Sequence, residues 1–550
     1  MATETNIPHA RAAVAAAVAL VEQLTDRLAR VVADPDRPNR VDNGRLHRYG
    51  EEAFRLARWV AELTAAGHLL DAFAHDHKND RMAALANYAC ALVVRSVRGD
   101  ISDCASWFAG GVDGRLALDD DVAAWTDTWS GPEAVEALAP WVLDGGAWAA
   151  SAYALSRDHE DIRALFRDFA DEQVAPLAEH IHRTDALIPE ELLRAYAEIG
   201  ALGITIPDTY GGHFIDHRSM ALATEELSRA SLGAGGSVIT RPEIAAKALL
   251  KGGTEAQKQH WLPRIAAGDE IVSIAVTEPG AGSDVARLRV EARRDADGWR
   301  LTGEKTWCTF AGRASVMLVL ARTGTAESKA RGLTLFLVPK PPTIAPADDH
   351  TFAWQSNGGS ISGRAIPTVG YRGMHSFTVF FEDWLVSDDH RVGAEGQGFA
   401  LQMAGFAGGR IQTAARALGV MEAAFRSAVG YSLERQAFDR TLATLPLVRR
   451  KLVDMAARIA LSRQMTYAVC DRMDAGGGQD EASLVKLLAC KDAEHVTREA
   501  MQLHGGMGYS EEFAVSRYWQ DARVLSIFEG AEEVLAILVI ARGVLRAALC

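Results

Sequence analysis

The sequence contains few cysteines, and no two of them form a C-x-x-C motif. Six cysteines occur in 550 residues, at Cys90, Cys104, Cys308, Cys470, Cys490 and Cys550. Structural zinc sites and disulfide frameworks use cysteines at characteristic spacings, so neither a metal site nor a disulfide is expected. Scattered thiols are typical of proteins in a reducing compartment, and the sequence therefore predicts a cytoplasmic protein.

Long apolar runs and runs of basic residues are also missing. The stretch AAVAAAVALV at residues 12–21 is too short to span a membrane and follows a single arginine, so it is interpreted as the buried face of a first helix. The chain has 58 Lys and Arg against 72 Asp and Glu, a formal charge of −14. Because nucleic acids are bound by concentrated basic surfaces, we expect no nucleic-acid partner and no membrane partner.

The periodicity of apolar residues changes along the chain. Residues 1–150 and 151–270 show helical spacing, residues 271–390 consist of short β-branched and aromatic runs, and helical spacing returns in residues 391–550. This order predicts an α+β protein with an N-terminal helical extension, a second helical domain, a middle β domain and a C-terminal helical bundle. The extension groups no catalytic residues, and a packing role and an oligomerisation role both stay open for it. Residues 345–367 are expected to form a long polar loop or a hairpin insertion.

Six motifs follow one another in an order that resembles the acyl-CoA dehydrogenase family of flavoproteins. They are AVTEPGAGSD (275–284), GEKTWCT (303–309), AGGRIQTAARALG (407–419), ERQAFDR (434–440), QLHGGMGY (502–509) and IFEG (527–530). The resemblance covers about residues 155–545. It implies a helical domain, a β-barrel-like middle domain and a C-terminal four-helix bundle, with FAD as the cofactor. It also implies an oxidoreductase that acts on the Cα–Cβ bond of an acyl-CoA.

The same resemblance implies which residues bind FAD. The first motif would line the flavin with Ile274, Val276, Thr277, Gly282 and Ser283, and Ser283 would also face the CoA. Glycine lets backbone N–H groups of such a loop approach anionic oxygens. By itself, without the other motifs, this motif could equally be an ordinary turn.

Two further motifs carry expected flavin contacts. Trp307 and Thr309 alternate along a predicted strand, which would place them on one face beside flavin N5. Arg435 and Phe438 are spaced by one helical turn and would reach the FAD of a neighbouring subunit. Gln502 and Gly506 would approach the same cofactor from a helix end. FAD at a subunit boundary implies a homo-oligomer, either a dimer or a tetramer. Alternatively, Trp307 is a buried core residue of a strand and Arg435 is a solvated surface charge, without a role in FAD binding.

Glu529 in the motif IFEG is the expected catalytic base. It could also be an acid that starts the following apolar helix, because helix N-termini favour carboxylates. The resemblance implies instead that Glu529 takes the α-proton while flavin N5 accepts a hydride from the β-carbon. Some family members carry the base just before the arginine of AGGRIQ, where this chain has Gly409. The resemblance also implies that Arg410 shapes and polarises the same cavity.

The substrate is expected to be a branched dicarboxylic acyl-CoA. The N-terminal extension, the insertion and the string GRAIPTVGYRGMHSF resemble those of methylsuccinyl-CoA dehydrogenases, which oxidise (2S)-methylsuccinyl-CoA to mesaconyl-CoA in the ethylmalonyl-CoA pathway. A second carboxylate on the substrate needs a buried cation. Arg241, flanked by apolar residues, is the candidate for binding it, and pairing of Arg241 with Glu243 or another acid is the alternative.

Other functions stay open from the sequence. The chain could be a short- or branched-chain acyl-CoA dehydrogenase with another substrate, a flavin-binding relative that responds to DNA alkylation, or an oxidase that reduces oxygen. The resemblance implies electron-transferring flavoprotein as the electron acceptor. The acidic composition counts against the DNA-associated alternative.

Overall fold

The computed structural model describes residues 7–74, 80–104, 120–144, 155–342 and 350–550. Contacts within the chain define two compact units. Unit 1 consists of residues 1–160 together with 413–550, and unit 2 consists of residues 161–412. The domain boundary predicted near residue 150 lies outside the described residues, and the four-domain division stays a prediction.

The first part of the chain is helical, as its periodicity predicts. Its helices are α1 (Ile7–Val32), α2 (Asn43–Arg48), α3 (Gly50–Ala74), α4 (Asp80–Cys104), α5 (Asp120–Ser130) and α6 (Pro132–Leu143). Alanine, valine and leucine recur on the buried side of α1 from Ala10 to Val32. This apolar face packs against α3 and α4 and includes the stretch that we interpreted as a buried helix face.

Further helices precede the strands. They are α7 (Arg157–Phe169), α8 (Ala175–Thr184), α9 (Glu190–Glu198), α10 (His217–Ala230), α11 (Thr240–Gly252) and α12 (Glu255–Ala266), with a π-helical segment at Ala170–Val174. Helix α12 begins with a capping box, in which the Thr254 side chain and the Gln257 side chain each bond the other residue's backbone N–H. Helix α11 ends at the Gly252-Gly253 pair, since glycine favours helix termination.

The middle of the chain forms one nine-stranded sheet in unit 2. Its strands are β1 (Val272–Ala275), β2 (Glu291–Asp295), β3 (Gly298–Thr309), β4 (Val316–Arg322), β5 (Leu333–Pro339), β6 (Thr351–Ser356), β7 (Gly359–Ala365), β8 (Ser376–Val386) and β9 (Arg391–Val392). The strand order is β6-β7-β8-β3-β2-β4-β5-β9, and β1 pairs in parallel with β4. Within the insertion, the described residues form the hairpin β6–β7, while residues 345–349 lie outside the described ranges.

The C-terminal part of the chain returns to helices. These are α13 (Gly398–Glu434), α14 (Pro446–Asp474), α15 (Glu481–His504), α16 (Gly506–Tyr509), α17 (Val515–Leu525), α18 (Glu532–Val534) and α19 (Arg542–Ala548). A short hairpin of β10 (Gln436–Ala437) and β11 (Arg440–Thr441) separates α13 from α14. Residues Leu535–Ala541 form a π-helical segment between α18 and α19.

Unit 1 combines the two ends of the sequence. Helix α3 packs against α14 and α15, and α4 and α6 also pack against α14. The Tyr88 hydroxyl bonds to the Asp454 carboxylate, and Arg450 donates 3.0 Å to the Ser130 carbonyl. None of the helices in the described ranges is long and apolar enough to cross a membrane.

Candidate functional site

The loop after β1 carries the first group of predicted cofactor residues. Val276 is buried, and the chain then reverses between Glu278 and Ala281, whose backbone groups exchange two hydrogen bonds of 3.0 Å. Gly282 and Ser283 follow this turn and are exposed. The loop therefore presents its glycine and serine where a ligand can approach the backbone.

A buried ion pair supports this loop from within the sheet. Lys305 Nζ donates 2.8 Å to Glu278 Oε1 and 2.8 Å to the carbonyl of Val276. The Glu278 carboxylate also accepts the backbone N–H groups of Arg289 at 2.7 Å and Val290 at 2.9 Å. Burial lowers the pKa of Lys305, while the charge of Glu278 opposes that shift. The sequence reasoning missed this pair, although both residues lie inside quoted motifs.

Two hydrogen bonds join the β1 region to the end of β3. The backbone N–H of Thr306 donates 2.9 Å to the carbonyl of Thr277. The hydroxyl of Ser273 donates 2.8 Å to the carbonyl of Thr309. Ile274 and Thr277 are both half-buried. Unit 2 thus brings the two predicted flavin-contacting segments together.

The end of β3 is not a regular strand. Its register against β8 shifts between Lys305 and Cys308, and Trp307 has a left-handed φ of 59°. The expected alternation of Trp307 and Thr309 is interrupted by this bulge, so a shared face does not follow from strand periodicity. Trp307 is 55% exposed, and the Thr309 hydroxyl lies 3.0 Å from that of Ser376. A large exposed aromatic residue with strained backbone geometry is typical of a functional position.

Helix α13 carries Arg410 directly after two buried glycines. Arg410 is half-buried. A Cβ on Gly408 would lie 2.0 Å from Glu243 Oε1 and 2.1 Å from Lys247 Nζ, so the ends of these two side chains would have to shift to accept it. Gly409 is also buried and has no side chain to serve as a base.

Arg241 lies on α11 and is not paired with Glu243. Glu243 instead bonds to Lys247 and to Gln412. Arg241 is 6% exposed, and its guanidinium donates 2.5 Å to the Ser237 carbonyl. No carboxylate of the described residues lies within ion-pairing distance of Arg241.

The cleft beside Arg241 is mostly apolar. Phe310 and Met374 line it, and Arg241 lies 2.9 Å from the Met374 sulfur. Glu270 also lines the cleft, but its carboxylate accepts a hydrogen bond of 2.5 Å from Ser315. The guanidinium therefore meets a carbonyl and a thioether rather than an acid.

Arg435 and Phe438 do not lie on a helix, which corrects our expectation. Helix α13 ends at Glu434, and Phe438 occupies the turn of the β10–β11 hairpin together with Asp439. Both turn residues have left-handed φ values, 55° and 59°. Phe438 is 84% exposed and Arg435 is exposed as well. The hairpin therefore projects an aromatic ring and a guanidinium outward.

Gln502 and Gly506 lie at a helix end, as predicted. Helix α15 ends at His504, and Gln502 and Gly506 are both exposed. The ring of Tyr431, near the end of α13, stacks on His504 with centroids 4.3 Å apart. This contact joins the base of the hairpin to the end of α15. Unit 1 thus brings together the two segments that were assigned to a neighbouring subunit's cofactor.

Glu529 occupies a strained loop between α17 and α18. Its φ is 53°, and that of the following Gly530 is 104°. The side chain is half-buried, and its Oε2 atom is enclosed without a hydrogen-bond partner in the described residues. The first-turn acids of α18 are Glu532 and Glu533, so Glu529 is not the helix-start acid. An enclosed carboxylate oxygen without a partner is the arrangement expected of a base that meets a ligand.

Comparisons with known proteins support one family. Models of the acyl-CoA dehydrogenase N-terminal, middle and C-terminal domains match residues 156–269, 273–384 and 396–545. The chain is 43% identical to a (2S)-methylsuccinyl-CoA dehydrogenase of Cereibacter sphaeroides, over 71% of this chain and 70% of that protein. It is 32% identical to the mitochondrial short-chain specific acyl-CoA dehydrogenase of Homo sapiens, over 71% and 91%.

Solved structures show the same fold. Butyryl-CoA dehydrogenase from Megasphaera elsdenii superposes with a TM-score of 0.64 at 29% identity, covering 70% of this chain and 98% of its own. A glutaryl-CoA dehydrogenase from Mycobacterium smegmatis in complex with FADH2 gives 0.63 at 27% identity, covering 71% and 95%. The predicted fold class is confirmed, and the exposed Gly282–Ser283 loop and exposed Trp307 fit the family's cofactor. The chain belongs to the acyl-CoA dehydrogenase family of FAD-dependent oxidoreductases.

Proposed function

We propose that this acyl-CoA dehydrogenase oxidises (2S)-methylsuccinyl-CoA to mesaconyl-CoA with Glu529 as the catalytic base. The mechanistic part of this proposal rests on the enclosed carboxylate oxygen of Glu529, which has no hydrogen-bond partner among the described residues. The substrate part rests on the 43% identity with the (2S)-methylsuccinyl-CoA dehydrogenase and on the buried Arg241, which no carboxylate of the described residues pairs with.

Glu529 takes the α-proton of the thioester. Its carboxylate makes no hydrogen bond to a described residue that would compete with the substrate. Its backbone N–H makes none in the described part of the chain either, and so it is available to the thioester oxygen. An N–H directed at that oxygen stabilises the charge that develops as the proton leaves. Bound FAD supplies the acceptor for the β-hydrogen.

Residues of unit 2 would hold the flavin. The Thr277 and Thr309 hydroxyls are candidates for hydrogen bonds to the ring, and Trp307 offers an exposed aromatic surface. Ser376 holds the Thr309 hydroxyl at 3.0 Å. The exposed Arg435 and Phe438 would contact the FAD of a neighbouring subunit together with Gln502 and Gly506, which makes the enzyme a homo-oligomer. Electron-transferring flavoprotein is the proposed acceptor.

Arg241 binds the second carboxylate of the substrate in this proposal. Among the described residues, the buried guanidinium meets a carbonyl and a thioether and no compensating negative charge. A carboxylate would complete its coordination, and guanidinium can bind one through two parallel hydrogen bonds. Ser283 and Arg410 would contact the CoA ester itself.

Two substitutions test this function separately. Glu529→Gln should lower turnover at least 1,000-fold while FAD stays bound, because the isosteric amide removes the base. Arg241→Met should lower kcat/KM for methylsuccinyl-CoA by more than tenfold relative to butyryl-CoA. Lys251→Met, on the exposed side of the same helix, is the matched control. Equal losses on both substrates would overturn the role of Arg241.

A substrate without a second carboxylate is the alternative. The 32% identity with the short-chain specific enzyme favours this alternative. Purified enzyme assayed with butyryl-, isobutyryl- and methylsuccinyl-CoA distinguishes the two by kcat/KM. Parallel assays with oxygen and with electron-transferring flavoprotein distinguish an oxidase from a dehydrogenase.

A further inference from the structure

One face of α15 holds the loop of Glu529 from both ends. Lys486 and Glu494 are eight residues apart, about two helical turns, and so they share that face. The ammonium of Lys486 donates a hydrogen bond to the Gly530 carbonyl, directly after Glu529. The carboxylate of Glu494 accepts the hydroxyl of Ser526, three residues before Glu529.

A second cation contacts the loop from α13. The guanidinium carbon of Arg416 lies 4.7 Å from the centre of the Phe528 ring, a cation–π distance. Arg416 is 1% exposed, and it donates 2.7 Å to the Thr413 hydroxyl. No carboxylate in the described part of the chain forms an ion pair with Arg416. Its charge is therefore directed at the aromatic ring next to Glu529.

The backbone of Glu529 needs such support. A non-glycine residue in the left-handed region costs about 1–3 kcal/mol and persists only when its surroundings impose it. Glu529 itself makes no hydrogen bond to a described residue, so its own atoms do not impose the conformation. The residues on either side, Phe528 and Gly530, are the ones that the buried cations contact.

Lys486 places a charged donor on the Gly530 carbonyl. It is 1% exposed, and removing an ammonium from water is costly. A carbonyl could be satisfied by a neutral donor, whereas a charged donor holds the peptide more firmly.

We propose that Lys486 and Arg416 are positioning residues for Glu529. Lys486 holds the peptide carbonyl after it and Arg416 holds the Phe528 ring before it, so that its carboxylate and its backbone N–H keep the orientation that proton abstraction needs. This inference rests on the proposed role of Glu529 as the base. Neither cation touches the reacting atoms in this scheme.

The test is the variant Lys486→Met in the FAD-bound enzyme. We expect kcat for (2S)-methylsuccinyl-CoA to fall at least tenfold, while KM and FAD content change less than twofold. Deuterium at the substrate α-carbon should give a larger isotope effect on kcat than in the wild type, because proton abstraction becomes slower. Lys486→Arg should restore a large part of kcat, since guanidinium can also donate to the Gly530 carbonyl.

Matched controls separate positioning from folding. Lys491→Met removes an exposed lysine of the same helix, which pairs with Glu532 at 3.1 Å, and it should leave kcat unchanged. If Lys486→Met does not fold, Arg416→Gln provides the same measurements from the other side of the loop. Wild-type kcat and isotope effect in the folded variant would overturn the proposal. A parallel loss of FAD that Lys486→Arg does not restore would equally overturn it.

The activity of Glu529→Gln distinguishes failure of the base assignment from failure of the positioning role. If that variant retains turnover, the base assignment fails and the positioning role fails with it. If it is inactive while Lys486→Met and Arg416→Gln behave like the wild type, only the positioning role fails. Butyryl-CoA serves as the probe if it is turned over faster than methylsuccinyl-CoA.

Discussion

The two units hold their predicted site residues in different ways. In unit 2, the loop after β1 is fixed by the buried pair of Glu278 and Lys305 and by a hydrogen bond from β3. In unit 1, Phe438 and Glu529 have left-handed backbones and lie on short segments between helices. Unit 2 thus builds its loop from complementary charges within a sheet. Unit 1 instead places Phe438 and Glu529 on strained loops; Trp307 in unit 2 also has a left-handed backbone, but its segment is paired with β8 on either side of the bulge. Precise placement of site residues therefore does not require regular structure.

Removing one partner of the buried pair should have the largest effect on stability. Lys305→Met leaves the Glu278 carboxylate buried without its counter-ion, which costs about 3–5 kcal/mol of unfolding free energy. Urea unfolding should show this loss, together with weaker FAD retention. The double variant Lys305→Met/Glu278→Gln should be less destabilised than the sum of the single variants. If Lys305→Met lowered the unfolding free energy by less than about 1 kcal/mol, the buried pair would not be what fixes the loop after β1, and the contrast between the units would fail.

Gly408→Ala should have a smaller effect. The new Cβ would meet the ends of the Glu243 and Lys247 side chains, and Glu243 is 0% exposed and bonded to Gln412, so shifting it should cost about 1 kcal/mol. Gly543→Ala is the matched control in unit 1, because no atom of the described residues outside its own helical turn lies within 4 Å of the new Cβ. Thermal unfolding should show a lower Tm for the first variant and an unchanged or slightly higher Tm for the second. Equal Tm values would contradict the packing at Gly408.

The free energy of unfolding should rise with pH in the alkaline range because of Lys340 in unit 2. Burial, together with the nearby charge of Arg313, lowers the pKa of Lys340 from 10.5 to about 7. Between pH 7 and 10.5 the unfolded chain therefore binds more protons at this residue, and its contribution to stability rises with pH. Lys340→Met should flatten this rise in unfolding curves measured from pH 7 to 10. An unchanged slope would show that Lys340 is solvated.

The free energy of unfolding should fall at acidic pH because of Glu422 in unit 1. Burial alone would raise the pKa of Glu422, but Arg463 and Arg426 overcome this effect and hold it at about 2. Its stabilising contribution is complete above about pH 4.5 and is lost as pH falls towards 2. Glu422→Gln should reduce the dependence of unfolding free energy on pH in this window.

Phe438→Ala should have the smallest effect on stability. The ring is 84% exposed, so its removal should change the unfolding free energy by less than about 0.5 kcal/mol. Under the proposed function, the ratio of bound FAD to protein should nevertheless fall. Leu165→Ala, another exposed apolar side chain, is the control that should leave this ratio unchanged. An unchanged FAD ratio in Phe438→Ala would place the hairpin outside the cofactor site.

Regular elements could be predicted from the sequence because their signals are local. The β-branched runs that became β1, β3, β4, β5 and β8 were recognisable, and Gly252 marked the end of α11. The motif around Glu529 was recognisable as well. Its left-handed backbone was not, because nothing in IFEG except the glycine favours that geometry.

Other features could not be predicted because their causes are not local. The pairing of Lys305 with Glu278 joins residues 27 positions apart on different elements. The hairpin of Phe438 lacks the Asn-Gly turn that usually marks two-residue connections, so its spacing suggested a helix. The bulge at Trp307 depends on pairing with β8, which strand periodicity does not encode.

The discontinuous composition of unit 1 has a consequence for biosynthesis. Unit 2 is one continuous segment, so the ribosome completes it before most of the C-terminal helices exist. Tyr88 and its partner Asp454 are separated by 366 residues. The apolar surface of α3, α4 and α6 that packs on α14 is therefore uncovered until α14 has been synthesised. Newly made chains therefore expose this apolar surface to aggregation and to chaperone binding until α14 has been synthesised.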